Sequence, residues 1–548
     1  MVDNISRLDR SRHDVQLSNE AAPNASLIWI PDIILRITGF LSRNEIALSI
    51  RLVDKTCAAL FHGLQYITVR LSEPSPPFAF EQHWGRPGAM RSLARQQRGQ
   101  LLCLTARSGS IPNLAVAVES AGLLPIALEF EQVLESAAAA GHVDVCQWLL
   151  QKGCCNVETA IREAACAGKE AVCECLVMAS TADCCAAYRG AALGGHVGLM
   201  EWLRQRFHFE PDYYNLSSIP KGCDLATLQH LYNRDMPGDN VPSQKEEVQT
   251  AMIANAAGSR MPDWQAKVEW LQQQGCPVTD FITEEAASCP DALERLTWLL
   301  QRGFPVGPDT VAAAAAEGNT AAVEYLLAQG VVLVEFVDPR PAIRAGHLDV
   351  LKMLAAAGCS MEKREYLCAA VSAGHLLVAD WLMEVAGPAF IADLEGSRVG
   401  DWAETAFTAG IRSVEQLSWL WGHGCLRDGS ALAALASSGS SEELMEWAVG
   451  QGCSFTDGNG KCCYTYATAG GHGDMAMLRC LRRLGCPWGP YGKTFAVCLS
   501  RWSPLPVLAW LLEEGCPVNW DAVLAEARRF HQGTLAWLLE QRQRQRQR

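Results

Sequence analysis

Five histidines, His142, His196, His347, His375 and His472, each follow a glycine. Imidazoles in a recurring position could bind a metal or carry protons. These lie a full repeat or more apart, too far to share one ion, and they read as structural turn residues. The 23 cysteines offer a second chemistry. No C-x-x-C occurs, so the common zinc spacing is missing. Doublets such as Cys154-Cys155, Cys184-Cys185 and Cys462-Cys463 cannot easily turn both sulfurs to one ion. Cys154, Cys223, Cys276, Cys359, Cys425, Cys453, Cys486 and Cys516 all follow a glycine, where a small buried hydrophobe fits. Reduced, structural thiols are expected.

Two glycine-rich stretches approach nucleotide-binding patterns. Gly489 to Thr494 (GPYGKT) resembles a phosphate-binding loop, but Pro487 stands where that loop needs its first glycine, and no apolar strand precedes it. Gly471 to Ala476 (GHGDMA) fits G-x-G-x-x-A, but it follows a helix-like run and coincides with a repeat turn. Neither G-x-S-x-G nor H-E-x-x-H occurs, and the acidic residues do not converge with histidine in the sequence. The sequence offers no reaction, no cofactor and no metal site, so a binding protein rather than an enzyme is expected.

The elements that position these residues are repeats. Ala137 to Cys154 (AAAAGHVDVCQWLLQKGC) holds an alanine-rich run, a turn at Gly141, a second run with Val145, Trp148 and Leu149 at helical spacing, and a closing Gly153. Two such short helices bury too little surface to stand alone. Turn and closing glycines lie 12 residues apart in Gly141/Gly153, Gly318/Gly330 and Gly346/Gly358. A large aromatic precedes the closing glycine by 5 residues in Trp148/Gly153, Trp270/Gly275, Trp298/Gly303, Tyr325/Gly330, Trp419/Gly424, Trp447/Gly452 and Trp510/Gly515. A fixed period of 27 to 28 residues predicts a solenoid. Trp148, Trp202, Trp270, Trp298, Trp381, Trp447, Trp510 and Trp537 hold one place in the second helix and are expected in the structural core, as a packing slot between successive repeats.

AGHVDVCQWLLQKGC and RAGHLDVLKMLAAAGC resemble the second half of an ankyrin repeat. The resemblance runs from about Gly99 to Glu540. It implies an all-α solenoid of stacked helix-turn-helix repeats, about 13 to 15 pairs, with reduced hairpin fingers because the period falls short of the ankyrin 33. Residues 212–244 break the pattern and read as a damaged repeat or an inserted loop.

Ahead of the repeats, IWIPDIILRITGFLSRNEIALSIRLVDKTCAAL places Pro31 and Asp32 in a first helical turn and a capping box at Ser42 to Glu45. This stretch resembles an F-box, a three-helix module that docks on a Skp1-like adaptor. Ile30-Pro31 matches the family's Leu-Pro, and Arg51 to Lys55 matches its RLVCK segment, with Asp54 in the cysteine slot and Cys57 in the usual tryptophan's place. The resemblance implies that Ile30, Pro31, Ile34, Ile37, Leu41, Leu52 and Val53 contact the adaptor. The alternative reading of the residues is that Ile28 to Leu60 is a helical cap on the solenoid.

The expected organisation is a disordered segment 1–26, the F-box-like module 27–62, a linker and basic helix 63–98, the solenoid 99–540 and a Gln/Arg tail 541–548. Gln65 to Leu71 reads as a brief strand. Arg86, Arg91, Arg95 and Arg98 are expected to share a solvated face. A net charge of −14 argues against a nucleic-acid coat. No signal peptide and no run of 18 apolar residues is visible, so a cytoplasmic or nuclear location and no membrane contact are expected. The two resemblances together imply a substrate receptor of an SCF-type (Skp1-cullin-F-box) ubiquitin ligase holding a client protein on a concave face. The alternatives are an ankyrin-repeat scaffold or inhibitor and, remotely, a lipid or phosphodiester hydrolase.

Overall fold

The structure is a computed structural model. It describes residues 31–124, 128–154, 156–179, 184–236, 242–331, 333, 337–396, 411, 413–423, 431–455, 474–489, 492–501 and 503–547. The segment 1–26, Ile30, Cys425, the cysteines 462 and 463, and Gly471, His472 and Gly473 lie outside the described residues.

Among the described residues the fold is all-helical and repeat-like, with no strand. Helix pairs pack in chain order. The first helices form one row: Arg95–Arg107, Leu128–Ala140, Glu158–Cys166 and Cys185–Leu193 touch in succession. The row continues through Pro242–Ala257, Phe281–Ala287, Pro308–Ala316, Arg340–Ala345 and Arg364–Ala373. The second helices form another row, seen where Ala292–Gln301, Thr320–Ala328 and Leu348–Ala356 touch. Small residues let the first helices approach: Ala137, Ala164, Ala187 and Ala191 are fully buried. At Gly190 even alanine is too large, because a Cβ there would lie 2.2 Å from Arg162 O on the neighbouring helix. Among the described residues the connections between pairs carry no strand; Gly303 is followed by a helix that already begins at Pro308.

Two long cores run through the pairs, one from Phe80 to Phe304 and one from Ala287 to Leu538. Within the irregular stretch 212–244, residues 212–235 hold a damaged helix pair. Its first helix is split into Tyr213–Leu216 and Ile219–Gly222, and Leu216 and Ile219 still fill the common core. Leu225–Asp235 follows as the second helix, capped by Asp224, which accepts from Thr227 N at 2.8 Å.

Two local expectations are corrected. Gln65 to Leu71 forms no strand. Leu64–Ile67 is a helical turn, and the amide of Arg70 is taken by Asn44 Oδ1 at 2.9 Å, so no sheet partner is needed. The arginines of residues 86–98 do not share a solvated face. Arg86 and Arg91 lie in turns, Arg95 and Arg98 open the helix Arg95–Arg107, and Arg98 is buried against Asp474. The Gln/Arg tail extends the last helix, Gln532–Gln547, held by Arg542 to Asp521 at 2.7 Å and Trp520 Nε1 to Gln545 Oε1 at 2.8 Å.

Candidate protein-docking surfaces

The amino-terminal module comprises the helices Pro31–Thr38, Arg43–Leu48 and Lys55–Leu60, with a 3-10 turn at Ile50–Leu52. Ser42 and Glu45 cap the second helix reciprocally, Ser42 N donating to Glu45 Oε2 at 2.8 Å and Glu45 N to Ser42 Oγ at 3.2 Å. Asp54 caps the third by accepting from Cys57 N at 2.7 Å. Its place in the RLVDK segment is therefore explained by the helix start it makes. Ile34, Ile46, Cys57 and Phe61 form a core separate from the cores of the helix pairs.

Such a small core cannot cover all the apolar side chains of the module. Phe40 is 91% exposed, Leu52 68% and Val53 46%, with Ile33, Leu35 and Ile37 also exposed. Of the residues expected to face an adaptor, Pro31 opens the first helix, Ile37, Leu52 and Val53 lie on this apolar surface, and Leu41 packs half-buried against the small core. Ile34 is a correction. It is 1% exposed and points inward, because the helix turns one residue of its apolar stripe onto Cys57 and Phe61. Leu35 and Phe40 were outside the expected set. Leu35 falls out of phase with the stripe, and Phe40, on the apolar face by its spacing, lies two residues beyond the end of the helix Pro31–Thr38.

The module is fastened to the proline-rich stretch on its carboxy-terminal side. Asn44, fully buried, donates from Nδ2 to Arg70 O at 2.7 Å, and to Glu73 O and Pro74 O at 3.1 Å each. Asn113 Nδ2 in turn donates to Ser75 O at 2.9 Å. The stretch is thus pinned at both ends to helical structure.

Along the helix pairs, the glycine-linked histidines serve the backbone. His142 Nε2 meets Arg107 O at 2.9 Å, His196 Nε2 meets Cys166 O at 3.1 Å, and His375 Nε2 meets Arg344 O at 3.0 Å. Each ring reaches back to a carbonyl at the end of the preceding pair's first helix, where the backbone has no helical donor left. His347 lies over Gly318 in the same manner, within 2.5 Å of where a Cβ would stand. Where histidine is missing, other donors do the same work. Lys267 Nζ donates to Pro220 O at 2.9 Å and Cys223 O at 2.7 Å, Arg295 to Ala257 O at 2.6 Å, and Gln416 to Val371 O at 2.7 Å. The sequence marked the histidines but not Lys267 or Arg295, which stand inside helices where a charge ordinarily faces water.

Several tryptophans meet a ring of the neighbouring pair. Trp264 meets Trp298 edge-on at 5.1 Å, Tyr232 meets Trp270 at 5.1 Å, and Trp488 meets Trp510 at 6.1 Å. Trp510 is buried. Trp148, Trp202, Trp270, Trp298, Trp381, Trp447 and Trp537 are half-buried and pack against the long cores from outside. Cations cover the outer faces of some: the Arg302 guanidinium lies 3.9 Å from the Trp298 ring centre and Lys152 Nζ 5.2 Å from that of Trp148.

The near-motifs are spent on structure. Thr494, whose hydroxyl a phosphate loop would need, is buried and donates to Trp488 O. Asp474 of GHGDMA caps the helix Met475–Arg483, accepting from Met477 N at 3.0 Å. Among the described residues no group of three or more His, Cys, Asp or Glu side chains could hold a metal ion. The glycine-linked cysteines 154, 223, 276, 486 and 516 are buried, and Cys359 and Cys453 are half-buried. Burial pushes the Cys276 thiol up to about 12. Among the described residues no helix is long and apolar enough to cross a membrane.

Comparison with protein-family models gives no match, and comparison with curated proteins gives none. The docking surfaces therefore carry the functional reading.

Proposed function

We propose that this chain is a protein-interaction subunit, the substrate receptor of an SCF-type ubiquitin ligase. The amino-terminal module is the F-box-like part and takes a Skp1-like adaptor on its apolar face, through Ile37, Leu52 and Val53 together with Phe40. The helix pairs are a degenerate ankyrin-like solenoid with reduced hairpin fingers, and its concave surface holds a client protein. Catalysis belongs to the partner enzymes, and the chain supplies proximity. The cytoplasm or nucleus is the compartment this implies.

One observation carries the reading: a module with its own core exposes Phe40, Leu52 and Val53 while being fastened to an array of helix pairs. Exposed apolar surface of this kind marks an interaction site. The test is capture of a purified Skp1-like adaptor by the full chain, compared with a Phe40→Arg, Leu52→Arg variant. Capture by the wild type and its loss in the variant support the reading. No capture by the wild type, where a known F-box protein succeeds, ends it.

The second reading, a scaffold or inhibitor with the module as its cap, is favoured by the bonds of Asn44 to residues 70–74. Deleting residues 28–71 separates the two. A cap deletion aggregates or destabilises the array, whereas loss of an independent docking module leaves it folded.

A further inference from the structure

Stacked helix pairs ordinarily feel only their neighbours, and the first and last pairs fray independently. This chain departs from that rule. The segment between Arg91 and Gly122 is bonded to residues 439–483 by main chain and side chain alike.

Four backbone hydrogen bonds join the two regions among the described residues. Arg95 N donates to Gly439 O at 2.7 Å, Glu442 N and Glu443 N to Arg91 O at 2.9 and 3.4 Å, and Met475 N to Gly122 O at 3.0 Å. Those from Glu442, Glu443 and Met475 occupy amides at the starts of the helices Glu442–Gly450 and Met475–Arg483, which have no acceptor within their own helix. Close approach is built into the partners. Gly439 has a φ of +67° and lies under the Arg95 side chain; Gly122 has a φ of +62° and lies against Ala476 N.

Charges complete the junction. The Arg98 guanidinium grips both oxygens of Asp474, Nη2 to Oδ2 at 2.6 Å and Nη1 to Oδ1 at 3.1 Å, and also donates to Ala121 O. Outside this buried pair lies an alternating quartet. Arg91 and Arg483 both pair with Glu442 and Glu446, Arg483 Nη2 at 2.6 and 2.8 Å respectively. Leu124 adds apolar contact with the carboxy-terminal core.

We propose that this junction is a latch that closes the array on itself, so that the first helix pair and the helices Glu442–Gly450 and Met475–Arg483 open and close as one unit. A bidentate pair buried on both sides has one good geometry, and removing either partner strands the other charge. The latch therefore tolerates no partial opening. Because Asn113, in the helix Ile111–Ala121, also holds Ser75, the latch sets the amino-terminal module in fixed relation to pairs more than 300 residues along the chain. This goes beyond the proposed function and holds whatever the module binds.

Hydrogen exchange on the full-length chain tests it. Arg98→Ala should speed exchange in the helices Met475–Arg483 and Glu442–Gly450 on the order of 100-fold, with Leu348–Ala356 unchanged. Asp474→Asn should do the same in Arg95–Arg107. Should Arg98→Ala fail to fold, Arg91→Glu, at the half-exposed quartet, gives a milder acceleration of about two- to fivefold in Glu442–Gly450, reversed by adding Glu446→Arg. Acceleration confined to the substituted pair and its sequence neighbours, in the Arg98 and Arg91 variants alike, overturns the latch.

Discussion

The Arg98 guanidinium and the Asp474 carboxylate, 376 positions apart in the chain, form a two-pronged ion pair in which each side chain is only 3% exposed. Burial by itself pushes the Asp474 carboxyl up. The Arg98 charge and hydrogen bonds, the Met477 amide and the charge of Arg95 outweigh it and hold the group below the ordinary carboxylate range. A carboxyl whose folded value lies below its unfolded one stabilises fully above the unfolded value and loses that contribution as pH falls through the folded value. The junction is therefore expected to be constant from neutral pH down to about 4 and to weaken below that. Asp474→Asn should remove this acid limb. Thermal melts from pH 7 to pH 3 on the wild type and the variant check it; parallel curves would refute the assignment.

The docking face predicts a split between binding and stability. Phe40→Arg and Leu52→Arg replace side chains already in water, so stability should stay within about 0.5 kcal/mol of wild type, while capture of the proposed Skp1-like adaptor is lost. Ile34→Ala should act in the opposite sense, costing about 2–5 kcal/mol within the module, because Ile34 fills the core against Cys57 and Phe61. A chain in which Phe40→Arg unfolds the module would show that Phe40 is structural.

How much of this was legible depends on the range of each interaction. The helix pairs could be read because their signals are local: Gly141 and Gly153 mark the turn and the end, and Val145 and Leu149 mark the inward face. The Ser42–Glu45 capping box was legible for the same reason. The tryptophans were expected in the core, and apart from the buried Trp510 they are half-buried, since spacing fixes a helix face but not how far a large ring reaches past its edge. The latch was not legible. Arg91 and Arg98 look like a solvated basic run until Glu442, Glu446 and Asp474 are brought to them, and nothing within a repeat length announces those partners. Lys267 was hidden likewise, because the two carbonyls it caps lie 44 and 47 positions away.

Lys267 makes a strong stability prediction. Its ammonium is fully buried, donates to Pro220 O, Cys223 O and Ser259 Oγ, and pairs with Asp263 at 3.3 Å. Lys267→Met keeps the bulk but strands these acceptors where no water reaches. The expected cost is about 3 kcal/mol or more, against about 0.5 kcal/mol for Lys152→Met on the exposed surface. Denaturant midpoints measured side by side decide it, and equal midpoints would mean that the helix ends at Pro220 and Cys223 need no cap.

The thiols predict an alkaline limit. Burial pushes Cys146, Cys173, Cys276, Cys368 and Cys480 up to about 12, from an ordinary value of 9.0. The unfolded chain releases these protons near 9 while the folded chain keeps them until about 12. Stability is then fully present below the lower value and falls as pH rises between the two, by about 1.4 kcal/mol per unit for each such cysteine. Melts at pH 8 and pH 10 should show the drop, and Cys276→Ala should lessen it. Thiol reagents should reach Cys276 only through unfolding.

Trp298→Ala tests the seam between pairs. Burial of a whole indole would make the loss about 3–5 kcal/mol, but Trp298 is half-buried, with one edge on Trp264 and its outer face under Arg302. Roughly half the transfer loss applies, giving about 2 kcal/mol, and the Arg302 stack adds less than about 1 kcal/mol at an exposed site. Trp298→Phe should recover most of the loss, since a smaller ring still meets Trp264. The effect should fall on both flanking pairs, visible as faster exchange in Trp264–Gln273 as well as in Ala292–Gln301. Acceleration in the substituted helix alone would mean that the aromatic row decorates the array without joining its members.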